Sequence, residues 1–306
     1  MKFTHITKIL FLTILILLVV FIGFNIANKS SEADIKNIIP EVKFNRNTSS
    51  KIIPTFDINL ESNIVLIGNL NTGNILYQKN AEQKTNTASI TKLLSSCIVL
   101  ENTNTDQIIN INNEIYNSLP SKTDLLLDEN IKVIDLLKMA LIMSSNDAIT
   151  ALSQYLDYYT FINKMNIKAN EIGMYNSHFD NPVGFDSEGN YTTAIDLFQL
   201  AKYIYNNYPL IGEITKSKAV TITSDSNIKH LIMPTNVILD DLQNYWGGKT
   251  GTTTKAKEAL LSIFELENNN KKYPFVSIII QSDNRFSDIK KISDWLSENK
   301  IFLTNY

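Results

Sequence analysis

The chain has a single cysteine, Cys97, so it can close no disulfide within itself, and the apolar run around that residue makes it a packed small side chain. Only two arginines, Arg46 and Arg285, occur in 306 residues. Bidentate clamps on carboxylate or phosphate are therefore scarce, and anion recognition is expected to fall on lysines, hydroxyls and backbone N–H groups. The three histidines, His5, His178 and His230, stand too far apart for a metal motif, so no metal and no cofactor are expected. A net charge of −3 offers no basic excess for nucleic acid. Apolar residues are plentiful, at 44% of the chain, which is ample for a large core.

Lys2 and Lys8 precede Ile9 to Ile26, a stretch without charge in which only Thr13 and Asn25 are polar. This is just long enough to span a bilayer as a helix, with residues 1–8 left in the cytoplasm. A cleaved signal peptide competes with the uncleaved anchor over 9–27, although the context around Asn25-Ile26-Ala27 is poor for cleavage. Both readings place the remainder outside the cytoplasm. Residues 28–55, rich in Asn, Ser and Lys, with prolines at Pro40 and Pro54, read as a tether, and 56–306 as the folded domain.

Within that domain, Ile64 to Ile67 and Asn74 to Gln78 flank the turn signal Asn71-Thr72-Gly73, which predicts a hairpin. Ile131 to Leu156 reads as helix with a break at Ser144-Ser145-Asn146, and Thr160 to Met174 and Thr193 to Asn206 as two further helices, the second ending before Pro209. Val220 to Thr223, Leu231 to Met233, Trp246 to Gly251, Ala259 to Phe264 and Phe275 to Gln281 are strand candidates. The glycines Gly247, Gly248 and Gly251 are expected to let a ligand lie close against their strand. The last helix, Arg285 to Asn299, sets Phe286, Ile289, Ile292, Trp295 and Leu296 near one face for packing on the sheet.

Ser89 and Lys92 stand ahead of the apolar run Leu93 to Leu100. If that run is helical the two share a face, and an amine kept neutral by desolvation could take the proton of the hydroxyl, the Ser-Lys form of activated nucleophile. Ser-x-x-Lys also begins at Ser226, Ser287 and Ser297, so the spacing alone does not choose among them. Order does. Ser89 is followed by Ser144-Ser145-Asn146 and then by Lys249-Thr250-Gly251, the only Lys-Thr-Gly in the chain. That succession matches the signature of penicillin-binding proteins and class A β-lactamases, with Ser145 where Asp is usual. Taken alone, Ser144 to Asn146 is an ordinary helix N-cap, and the two roles are compatible.

The surrounding text, Ala88 to Leu93, Ser144 to Ala148, Asn181-Pro182-Val183-Gly184-Phe185-Asp186 and Tyr191 to Leu197, resembles the D-alanyl-D-alanine carboxypeptidases, the low-molecular-mass penicillin-binding proteins of peptidase S11 type, from about Asn63 onward. The resemblance implies the serine β-lactamase and penicillin-binding fold: an α+β architecture with an antiparallel sheet flanked by helices and a helical subdomain. It implies a bacterial enzyme held in the cell membrane, with the catalytic domain outside, acting on peptidoglycan stem peptides ending in D-Ala-D-Ala and acylated by β-lactam antibiotics. Ser89 would be the nucleophile and Lys92 its base. Ser144 would relay the proton, and Asn146 would hold Lys92 and the peptide. Lys249, Thr250, Gly251 and Thr252 would bind the substrate, the two threonine hydroxyls taking its carboxylate, with an oxyanion hole from the N–H groups of Ser89 and Thr252. The loop Asn181 to Tyr191 would wall the site.

Two departures from the family text are expected to matter. Asn190 stands where histidine is usual, and Lys257 where glycine is usual, which suggests that its strand sits differently. Two rival readings follow: a β-lactamase, for which Glu171, Glu188 and Glu213 are the only glutamates between Ser144 and Lys249, and a catalytically silent wall-binding scaffold.

Overall fold

The computed structural model describes residues 58–304. The expected span at 9–27 and the tether at 28–55 lie outside the described residues, among which no helix is long and apolar enough to cross a membrane. The expected hairpin is present: β1 (Ile64–Asn69) pairs antiparallel with β2 (Ile75–Lys79). Gly73 closes its turn at φ 77, and Asn69 Oδ1 accepts from the N–H groups of Asn71 and Thr72 at 2.9 and 3.0 Å.

A 3-10 turn over Ala88–Ile90 runs into α1 (Thr91–Asn102). Next come β3 (Ile108–Asn110), α2 (Asn113–Ser118), β4 (Asn130–Lys132), α3 (Val133–Ile142), α4 (Asn146–Tyr155) and α5 (Tyr158–Glu171). After a long loop follow α6 (Ala194–Asn207), α7 (Pro209–Thr215), β5 (Val220–Thr223) and β6 (Lys229–Ile232). The chain then lays down β7 (Tyr245–Thr253), β8 (Lys257–Asn268), β9 (Lys271–Ser282), α8 (Arg285–Glu298) and α9 (Lys300–Thr304).

Five strands form one antiparallel sheet in the order β2-β1-β9-β8-β7. Both of its faces are covered, which is why β1 reads as an unbroken apolar run. Ile64 and Leu66 join the core built with α1 and the helical region, whereas Val65 and Ile67 join a second core with Ile289, Ile292, Trp295 and Leu296 of α8. Phe286, expected on that face, is only partly buried and lies under the guanidinium of Arg285, 4.8 Å from ring centroid to Cζ.

Three boundaries differ from the pattern in the text. Ile131, read as helix, pairs with Ile109 in the β3–β4 ribbon. Pro209 ends α6 and also opens α7, because a ring that cannot donate inside a helix is well placed at its first position. The β8–β9 hairpin is longer than its apolar stretch, since Asn269 and Asn270 at φ 50 and 59 make a tight two-residue turn that carries the ladder out to Asn268 opposite Lys271. The expected displacement of the strand at Lys257 is not found. Lys257 takes φ 48 itself, the conformation a glycine would adopt, and still pairs with Thr253, its exposed amine 2.9 Å from Asp283. The irregularity falls one step later, as a bulge between Glu258 and Leu260.

One carboxylate ties the two ends of the described chain together. Asp288 is fully buried in the first turn of α8 and accepts from Ser62 N–H (2.9 Å), Ser62 Oγ (2.5 Å), Glu61 N–H (2.9 Å) and Ser282 Oγ (2.9 Å). Asp288→Ala is expected to lower stability by about 3 kcal/mol, because the buried donors are left unsatisfied. Urea unfolding of the domain would measure it, and Asp288→Asn should recover part of the loss.

Candidate active site

Ser89 sits in the 3-10 turn and Lys92 in the first turn of α1, so the amine folds back to lie 2.8 Å from Ser89 Oγ. Lys92 is fully buried. Its other contacts are Asn146 Oδ1 at 2.7 Å, from the start of α4, and Val183 O at 2.9 Å, from the loop before α6. Burial first, and the charge of Lys249 second, hold the Lys92 pKa well below the usual lysine range.

A neutral amine has two N–H donors and one lone pair. Asn146 Oδ1 and the Val183 carbonyl can only accept, so in the neutral amine they take both N–H groups and the lone pair is free to receive the Ser89 proton, while in the ammonium form the third N–H donates to Ser89 Oγ. The same three contacts serve both states, and burial favours the neutral one.

Lys249 reaches in from β7 to Ser144 Oγ at 2.9 Å and to Thr250 O at 3.0 Å. Burial, and then the Arg285 guanidinium, push its pKa down to about 7. Ser144 lies in the α3–α4 turn, where Ser145 caps α4 by accepting from Ala148 N–H at 3.0 Å. The N-cap and the site turn are thus one feature.

The structure therefore brings Ser89, Lys92, Ser144, Asn146 and Lys249 into one hydrogen-bonded cluster, with Thr250, Gly251 and Thr252 following along the edge strand. Thr250 is buried, its hydroxyl 2.6 Å from that of Thr235. Thr252 is exposed and accepts from Arg285 Nη1 at 2.6 Å, while Gly251 O accepts from the same nitrogen at 2.8 Å.

Arg285 joins the end of the motif strand, a place that the scarcity of arginine did not suggest: α8 begins beside the far end of β7. Sequence reasoning placed Val183 only within the wall loop and missed its carbonyl's contact with Lys92, and it missed Thr235 and Arg285 as site residues altogether. Val183 acts through its backbone, and Thr235 belongs to no motif. Arg285 had a visible signal as one of two arginines in the chain.

The glycines of β7 make room for the protein instead of a ligand. A Cβ on Gly248 would stand 2.1 Å from Leu261 O, and one on Gly251 would meet Thr87 O at 2.9 Å and Ser89 N at 3.0 Å. Gly251 thereby brings the strand's backbone against the Ser89 turn. Gly184 does the same from the opposite wall, at φ 90, where a Cβ would fall 1.8 Å from Ala88 O. The loop after it is braced at Asn190, which is buried: its side-chain amide donates to Phe185 O at 3.2 Å and its main-chain carbonyl accepts from the Asn86 amide. The departure from histidine thus leaves a structural residue at that position. Asp186 Oδ2 fastens the same loop to Lys255 N–H at 2.9 Å, just beyond β7.

A serine and a buried lysine on one helix start, facing a Ser-x-Asn turn and a Lys-Thr-Gly edge strand, define the penicillin-binding class of acyl-transfer proteins. Penicillin-binding protein D2 from Listeria monocytogenes in its ampicillin-bound form superposes with TM-score 0.66 at 27% identity, covering 78% of this chain and 98% of that one. A mutant of the Streptomyces K15 DD-transpeptidase gives 0.68 at 25%, with the same coverage. The model of the D-alanyl-D-alanine carboxypeptidase family, peptidase S11, matches residues 48–283, and the chain belongs to that family. D-alanyl-D-alanine carboxypeptidase DacF of Bacillus subtilis is 30% identical over 62% of this chain, and DacC of Escherichia coli 28% over 73%. The chain spans 50% and 58% of the length of these two relatives.

Two outcomes follow from the geometry. Gly184→Ala should push the loop off Ala88 and remove the Val183 acceptor, so that penicillin acylation of the folded protein falls steeply. Lys249→Met removes a like charge from beside Lys92, which raises the Lys92 pKa; a base must be unprotonated, so the acid limb of the acylation pH profile should move to higher pH. An acid limb left in place would remove Lys249 as the cause of the depression.

Proposed function

We propose that the protein is a serine-type D-Ala-D-Ala carboxypeptidase that removes the terminal D-alanine from peptidoglycan stem peptides and is acylated by β-lactams. The observation that carries this is the buried amine of Lys92, 2.8 Å from Ser89 Oγ. In the proposed reaction Lys92 takes the proton of Ser89 as Oγ attacks the penultimate carbonyl. Lys92 and Ser144 then pass a proton to the departing nitrogen, and water, activated by the same base, hydrolyses the ester.

The backbone N–H groups of Ser89 and Thr252 form the oxyanion hole in this reading, a donor of that kind contributing about 2.7–4 kcal/mol in known hydrolases. Gly251 supports it by letting the two segments touch. The carboxylate of the substrate meets Thr250, Thr252 and the Arg285 guanidinium, with Lys249 adding positive potential behind them. Asn146 holds Lys92 and the peptide together.

The β-lactam reading draws on one similar protein, penicillin-binding protein D2 of Listeria monocytogenes, solved in ampicillin-bound and cefotaxime-bound forms. Support for placing the domain outside the cytoplasm of a bacterial cell, anchored in the membrane by 9–27, comes from the uncharged run Ile9 to Ile26 and the lysines before it. A class A β-lactamase would need a glutamate to activate its deacylating water. Of the three glutamates available, Glu171 pairs with Lys168 at 2.9 Å, and Glu188 and Glu213 are exposed, none of them bonded to Ser89 or Lys92.

The test is covalent labelling of the full chain by a fluorescent penicillin, followed by an assay of D-alanine release from a pentapeptide. Label that needs Ser89, persists after free drug is removed and is lost in a folded Lys92→Ala protein is the expected result. Retained D-alanine release by Lys92→Ala would sink the assigned base, and rapid nitrocefin turnover would favour the β-lactamase.

A further inference from the structure

The turn between α3 and α4 has to hold two groups at once, Ser144 against Lys249 and Asn146 against Lys92. Ser144 does so at φ 65, a left-handed conformation that costs a residue with a side chain about 1–3 kcal/mol and persists only where the surroundings over-determine it. Its hydroxyl contributes the single bond with Lys249. The remaining restraints come from behind the turn.

Ser145 N–H donates to Met139 O at 3.0 Å. Its hydroxyl donates to Asp124 Oδ2 at 2.5 Å while accepting from Ala148 N–H. Asp147 is fully buried, and its carboxylate accepts the N–H groups of Ser121, Thr123 and Asp124 at 2.8, 3.0 and 3.3 Å. The segment so gathered is itself strained, with Lys122 at φ 57. These bonds close a ring: Asp147 shapes the 121–124 segment, that segment presents the Asp124 carboxylate, and the carboxylate holds Ser145, the residue between Ser144 and Asn146. No member of the ring bonds Ser89, Lys92 or Lys249.

We propose that Asp147 is a positioning residue for acyl transfer, acting through Asp124 and Ser145 to fix the left-handed Ser144 over the nucleophile. The inference rests on the acyl-transfer reading above. A carboxylate is suited to the task because it has acceptor capacity for several converging N–H groups at once, whereas an amide offers one oxygen.

The experiment measures the penicillin acylation rate of the full chain at saturation, together with affinity and melting temperature, for Asp147→Ala, Asp147→Asn and Asp124→Ala, each with Ser144 present and with Ser144→Ala. Misplacement of a reacting group by about 1 Å costs on the order of 10²-fold, so Asp147→Ala is expected to slow acylation by roughly 10- to 100-fold with little change in penicillin affinity, and Asp147→Asn should recover part of the rate. In the Ser144→Ala background the same substitutions should cost clearly less than they do with Ser144 present, because one of the two groups the turn holds is gone and only Asn146 is left to misplace.

Asp124→Ala, at a partly exposed position, keeps the test decisive if the buried site tolerates no change. Equal losses in both backgrounds would show a general structural effect and overturn the proposal, as would wild-type rates in Asp124→Ala. A folded wild type that takes no label overturns the acyl-transfer reading, and this inference with it.

Discussion

Everything in the site depends on keeping one long amine dry. An ammonium taken out of water is costly, and the cheaper outcome is loss of its proton. Lys92 is fully buried at the start of α1, and the groups that complete its surroundings come from α4 and from the loop ahead of α6. Those elements are far apart in the chain, so base strength here is a property of the tertiary fold. The helical region and the sheet share one core, and the surroundings of the base are complete only when both are in place.

Three basic side chains of the site act on one another in sequence. Arg285 lowers Lys249, and Lys249 lowers Lys92, each on top of burial. The outermost, a guanidinium, keeps its charge at any working pH and stands where the edge strand meets solvent. The innermost is the one that must be neutral. Each of the outer two thus lowers the proton affinity of the next one inward, from the cleft mouth towards the nucleophile.

Much of this was legible in the text. Ser89, Lys92, Ser144, Asn146 and Lys249 were found by motif order, and the hairpin at Gly73 and the helix break at Ser144 by turn chemistry. What escaped had physical reasons. Val183 contributes a carbonyl, and every residue type has one. Thr235 and Arg285 are placed by tertiary packing, across an irregular stretch and at a helix start. The glycines of β7 were correctly seen as an absence of bulk, but which neighbour needed the space depended on a sheet register and on a turn that no local pattern specifies. At Lys257 the expectation failed because a lysine whose side chain is in solvent can bear a left-handed backbone for about 1–2 kcal/mol, a cost that a well-paired strand absorbs.

The bond set around Asp288 also settles how the domain would carry load. A pull on the chain from its N-terminal side first meets Glu61 and Ser62, which that carboxylate locks to α8, and next β1, whose other hydrogen-bonded neighbour besides its hairpin partner is β9. Force along that strand would be resisted in shear by many backbone bonds acting together. The edge strand β7 and the serine turn lie off this line, at the opposite end of the strand order, so a force entering through Glu61 would meet α8 and the centre of the sheet before it met the cleft.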